Sequence, residues 1–108
     1  MGKFVITKRA NGEFQFNLKA TNGQVILTSE GYTTLAACKN GIESVKKNSQ
    51  EDARFERKEA KDGSPFFILK ATNGQVIGKS EMYSSKSACE NGIESVKKNA
   101  QNSAIVAE

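Results

Sequence analysis

Apolar and polar residues alternate over Glu13–Ala20. Phe14, Phe16, Leu18 and Ala20 fall on one side, and Glu13, Gln15, Asn17 and Lys19 on the other. A period of two is the signature of a half-buried strand. Two more extended segments flank it, Lys3–Lys8 and Gln24–Ser29. Asn11-Gly12 and Asn22-Gly23 separate the three, and Asn-Gly suits tight hairpin turns because both residues tolerate positive φ. Parity constrains the loop lengths. A two-residue Asn22-Gly23 loop sets Ala20 opposite Val25 and Leu18 opposite Leu27, all on the Phe16 side. The same length at Asn11-Gly12 would send Phe4 and Ile6 to the polar side. An odd loop is expected there, since a one-residue slip inverts every side chain.

The period then changes. Leu35, Cys38, Ile42 and Val45 are spaced three, four and three apart, which is one face of a helix. Thr33 or Thr34 supplies its N-cap. Gly41 lies inside this helix at a cost of about 1 kcal/mol relative to Ala, so close approach of helix to sheet is expected there.

The whole unit is written twice. Residues 18–50 and 69–101 align at an offset of 51 with 24 of 33 positions identical. Upstream, Phe4/Phe55, Gly12/Gly63 and Phe16/Phe67 still match. The second helix carries Cys89, Ile93 and Val96, with Ser84 or Ser85 as its N-cap and Gly92 inside it. Ala104–Ala107 reads as a short closing strand. One domain of two repeats, 1–51 and 52–108, is expected, because neither half has enough sheet to stand alone.

Composition narrows the chemistry. The chain has 108 residues, 16 Lys+Arg against 12 Asp+Glu, a formal charge of +4 and no His. Without His, the usual general base and the commonest metal ligand are missing. Two Cys alone cannot complete a four-ligand zinc site. Cys38 and Cys89 sit on the apolar helix stripes and read as small core residues. Glu43 and Glu94 read as helix-surface partners of lysines, and Glu30 and Glu81 as loop residues entering the helices. No P-loop or Gly-x-Gly pattern occurs, no cofactor is expected, and no apolar run approaches a membrane span. The expectation is a small, basic, non-enzymatic, monomeric protein of the cytoplasm.

A Phe-rich strand, then LKATNGQVI, then a Gly-Tyr or Met-Tyr step with paired Thr or Ser, then NGIESVKKN, all repeated, resembles the bacterial YegP-like family. The resemblance implies an α+β fold of two tandem β(3)-α-β repeats. These form one antiparallel sheet with two helices on one face and exchanged C-terminal strands. It implies no catalytic residues. The chain departs from its own pattern in repeat 2, where Pro65 replaces Phe14, Gly78 replaces Leu27 and Lys86 replaces Leu35.

One asymmetry bears on function. Repeat 1 places Gln15 and Asn17 on the helix-free side of its middle strand, where repeat 2 places Phe66 and Ile68. The hairpin register adds Ile77 opposite Lys70, and Lys79 opposite Ile68. Phe66, Ile68 and Ile77, rimmed by Lys70 and Lys79, are therefore the candidate binding residues. The cluster is either open or covered by a crossing strand through Ile105. An open cluster marks an interaction site. A protein partner or weak self-association is expected, with weak nucleic-acid binding through lysines as the alternative. A small-ligand site or enzyme has the least support.

Overall fold

The computed structural model describes residues 2–101 and 103–107, with the side chain of Ala107 left out of account. Each repeat runs three strands and a helix. These are β1 (Lys3–Lys8), β2 (Phe14–Lys19), β3 (Val25–Ser29) and α1 (Leu35–Asn48), then β4 (Phe55–Glu59), β5 (Pro65–Lys70), β6 (Val76–Lys79) and α2 (Lys86–Ala100). A 3-10 turn at Asp52–Arg54 leads into β4, and β7 (Ala104–Ala107) closes the chain. The caps are resolved in favour of Thr34 and Ser85, whose hydroxyls accept from the backbone N–H groups of Ala37 and Ala88, both at 3.0 Å.

All seven strands join one sheet in the order β4-β5-β6-β3-β2-β1-β7. It is mixed rather than wholly antiparallel, because β7 runs parallel to β1. The exchange of C-terminal strands is also one-way among the described residues. β7 leaves repeat 2 for the edge of repeat 1. Its counterpart at 53–56 is used up in the 3-10 turn and β4.

The first hairpin has the odd loop. Arg9 and Glu13 close it, Gly12 has φ 87°, and Phe4 pairs with Leu18 and Ile6 with Phe16. The second hairpin differs from expectation. Ala20 faces Gln24 across a three-residue loop with Gly23 at φ 85°, so Lys19 pairs with Val25. A bulge at Leu18/Lys19 absorbs the extra residue and restores the Leu18–Leu27 pair. Such bulges leave one residue unpaired and bend the strand.

The repeats meet where β3 pairs with β6, Thr28 opposite Lys79 and Ser29 opposite Gly78. Thr28 and Lys79 are each other's counterparts at the 51-residue offset. The pseudo-twofold relating the repeats therefore passes between them. Beside it, one Leu fits and two do not. A Cβ on Gly78 would stand 2.8 Å from Leu27 Cγ and 3.1 Å from the Thr28 carbonyl oxygen. Leu27 fills the shared space, and its mate is a glycine.

The core lies on one sheet face. Cys38, Ile42 and Val45 of α1, and Cys89, Ile93 and Val96 of α2, pack with Phe4, Phe16, Leu18, Phe55, Phe67 and Leu69. Leu35 is 39% exposed and stands outside this stripe, which is why Lys86 is tolerated at the same place in α2. Gly41 permits the expected close approach. A Cβ there would fall 2.6 Å from Tyr32 Cζ and 3.1 Å from Phe16 Cε2, and Gly92 repeats this against Tyr83 and Phe67. Both thiols are free and buried, and burial holds Cys38 and Cys89 above the usual thiol pKa.

An ion cluster within repeat 2 ties α2 to the 3-10 turn and β4 at the sheet edge. Arg57 donates to Glu90 at 2.8 and 2.9 Å and to Asp52 at 3.0 Å, and Lys97 donates to Asp52 at 3.0 Å. Hydrogen bonds from Arg57 and then Lys97 lower the Asp52 pKa to about 2. Arg57 likewise lowers Glu90. A depressed carboxylate stabilises the fold above its unfolded pKa, near 3.8 for Asp52, and that contribution is lost as pH falls toward 2. Acid unfolding followed by circular dichroism should therefore steepen between pH 4.5 and 2. Asp52→Asn should flatten this limb by lowering stability at pH 7 by the amount the limb loses, so that variant and parent converge near pH 2. An unchanged acid limb in the variant would rule the cluster out as its source.

Candidate binding face

The face without helices is built by the alternate residues of the strands. A straight row crosses all seven: Glu56, Ile68, Lys79, Thr28, Asn17, Val5 and Val106. Rows to either side add Lys58 opposite Phe66, Lys19 opposite Lys3, and Lys70 opposite Val76.

Four of the five residues read from the sequence lie here: Phe66, Ile68, Lys70 and Lys79. Ile77 does not. The bulge at Leu69/Lys70 pairs Lys70 with Val76, which turns Ile77 to the helix side, where it is 4% exposed within the core. The expected apolar cluster is also not open. Ile68 is 7% exposed, and Lys79 Nζ lies 5.0 Å from the Phe66 ring centroid. Glu56 accepts from Lys70 and, at 3.0 Å, from Lys58, and these bonds hold its carboxyl below the usual range. Ile68 stands between Glu56 and Lys79 in its row, where long charged side chains can lay their apolar stems along it. The crossing strand expected through Ile105 is not the cover, since β7 lies at the far edge of the sheet beside β1.

What the sequence reading missed is the charge. Lys3, Lys19, Lys58, Lys70 and Lys79 share this face with one carboxylate, Glu56. The strand positions of this face carry a net charge of +4, and Arg9, Glu30 and Glu81 border it beside Thr28 and Lys79. The signal lay in period-two parity, but it needed the strand order to bring Lys3 and Lys19 onto the same face as Lys70 and Lys79.

A family model described as a domain of unknown function, DUF1508, matches residues 10–56 and again 60–106. The chain belongs to the DUF1508 family. Among DUF1508 relatives it is similar to a UPF0339 protein of Bordetella pertussis, 53% identical over 100 residues, covering 93% of this chain and 90% of that protein. It is also similar to UPF0339 protein YegP of Yersinia pestis, 49% identical over 105 residues, with 97% and 94% covered. Two solution NMR structures share the architecture. The UPF0339 protein of Shewanella oneidensis superposes with a TM-score of 0.93 at 49% identity, covering 98% of this chain and 90% of the other. YegP of E. coli gives 0.94 at 43% identity, with 99% and 92% covered. The two family matches accord with the tandem repeat. No described helix is long and apolar enough to cross a membrane.

Proposed function

We propose that this DUF1508 protein is a non-enzymatic binding module of the cytoplasm. It works as a monomer whose helix-free sheet face takes a protein partner with an acidic surface. The observation that carries the reading is the charge of that face's strand positions, five lysines against one glutamate. Clustered charge of one sign steers and holds a complementary surface. A phosphate backbone would meet the same lysines. Single-strand recognition, however, relies on aromatic rings open for base stacking. Phe66 is the one ring on this face among the described residues, and Lys79 covers it.

Fluorescence anisotropy tests the proposal with a labelled poly-glutamate peptide and a labelled single-stranded 20-mer at low salt. The peptide should bind and weaken as salt rises. Lys19→Glu/Lys70→Glu/Lys79→Glu should reduce its affinity at least tenfold. A control with the same net charge, Lys39→Glu/Lys61→Glu/Lys86→Glu, should bind nearly as the parent does. Equal losses in the two triple variants would show that net charge alone matters and sink the assignment to this face. Tighter binding of the 20-mer than of the peptide would favour nucleic acid instead.

A further inference from the structure

A cavity of about 320 Å3 opens at the β4 edge, between the start of α2 and the ends of β4 and β5 that meet at their hairpin. Around it the two repeats have diverged. Of its seven lining residues only Cys89 matches its counterpart at the 51-residue offset, Cys38. Pro65, Lys86 and Arg57 stand where repeat 1 has Phe14, Leu35 and Ile6.

Repeat 1 shows what belongs in this place. Phe14 pairs with Lys8 as Pro65 pairs with Glu59, and the two carbonyls accept from the Tyr32 and Tyr83 N–H groups at 2.7 and 2.8 Å. The backbones therefore agree, and the difference is the side chain. The Phe14 ring packs against the core, with the Lys8 ammonium 5.8 Å from its centroid. Proline is too short to reach the position of that ring. An apolar cavity of roughly 150 Å3 takes benzene, so the space here suits a ring with a short polar extension.

The walls fit such a ring. Cys89 is 2% exposed and packs as a small hydrophobe. Arg57 is held by Glu90 and Asp52, so its guanidinium offers a fixed plane on which a ring can stack. The charges leave one pair over. Arg57 and Glu90 satisfy each other at 2.8 Å, and Lys58 reaches Glu56 at 3.0 Å. Among the described residues, Glu59 and Lys86 remain without an ion-pair partner, both exposed and both lining the cavity. A ligand with one charge would match one of them and be repelled by the other. A zwitterion matches both.

We propose that this cavity binds the free zwitterion of an aromatic amino acid. The ring takes the place that Phe14 fills in repeat 1, the carboxylate meets Lys86 and the ammonium meets Glu59. The site is separate from the binding of an acidic partner on the helix-free face. In NMR titrations of 15N-labelled protein, millimolar L-phenylalanine should shift the backbone amides of Glu59, Cys89 and Glu90 and leave those of Lys8, Cys38 and Lys39 in place. Pro65→Phe supplies the ring of repeat 1 and regains the N–H that Phe14 donates to the Tyr32 carbonyl. It should fold, as its own spectrum reports, and lose at least tenfold in affinity for phenylalanine. L-Alanine, which lacks the ring, should not bind. Phenethylamine, which lacks the carboxylate, should bind at least threefold more weakly than phenylalanine. Lys86→Leu should weaken phenylalanine to that level without weakening phenethylamine. The proposal is overturned if phenylalanine shifts none of these amides, if folded Pro65→Phe binds it as the parent does, or if Lys86→Leu leaves its affinity unchanged.

Discussion

Gly78→Leu should destabilise the protein by about 3 kcal/mol, and adding Leu27→Gly should recover most of that loss. The new side chain has nowhere to go, since its Cβ alone would stand 2.8 Å from Leu27 Cγ. Overpacking of this kind costs about 1–3 kcal/mol and occasionally more. Leu27→Gly alone should also be costly. Removing a fully buried Leu leaves a cavity worth about 2–5 kcal/mol, and a glycine within a strand adds about 0.5–1 kcal/mol. In the exchanged pair, a Leu at 78 reaches the same space from across the pseudo-twofold, so the two losses should not add. A double-mutant cycle in urea should give a favourable coupling near the upper end of the usual range, about 3 kcal/mol. If the double variant is as unstable as the sum of the singles, the shared-space account is wrong.

That position also shows where a sequence stops informing. The strands, helix caps and hairpin parities follow from local periods and turn residues, and so most of the architecture could be read. Nothing local says that β3 meets β6, because that contact depends on how two copies of one unit pack. The replacement of Leu27 by Gly78 therefore looks like a defect until the axis is located. Ile77 failed for another reason. A two-residue loop and a three-residue loop with a bulge place Leu27 identically, but they place the residue before it on opposite faces. Asn-Gly permits either turn. The charge asymmetry needed both pieces, parity along each strand and the order of strands across the sheet.

Phe67→Ala and Phe66→Ser should differ sharply although the residues are neighbours. Phe67 is fully buried, edge-on to Phe55 at 5.7 Å and stacked on Tyr83 at 6.2 Å, with its Cε2 beneath Gly92. Truncating such a ring costs about 3–5 kcal/mol. That is a large part of the roughly 5–15 kcal/mol that holds a domain together. Phe66 is half-buried on the helix-free face, and its main specific partner is the Lys79 ammonium. Losing a partly exposed cation–π contact costs about 0.5–1 kcal/mol, so Phe66→Ser should remain folded. Urea midpoints measure the stability contrast directly, and a comparable loss in both variants would mean that the faces have been assigned wrongly. The folded Phe66→Ser variant then separates two sources of binding. If the lysines hold the acidic partner, its affinity for poly-glutamate should be nearly that of the parent. If apolar area holds the partner, the serine should abolish binding while leaving the salt dependence of any residual complex unchanged. Of the five lysines Lys79 is the one placed over the Phe66 ring, so the other four keep their charge whatever stands at 66, and the first result is the one expected.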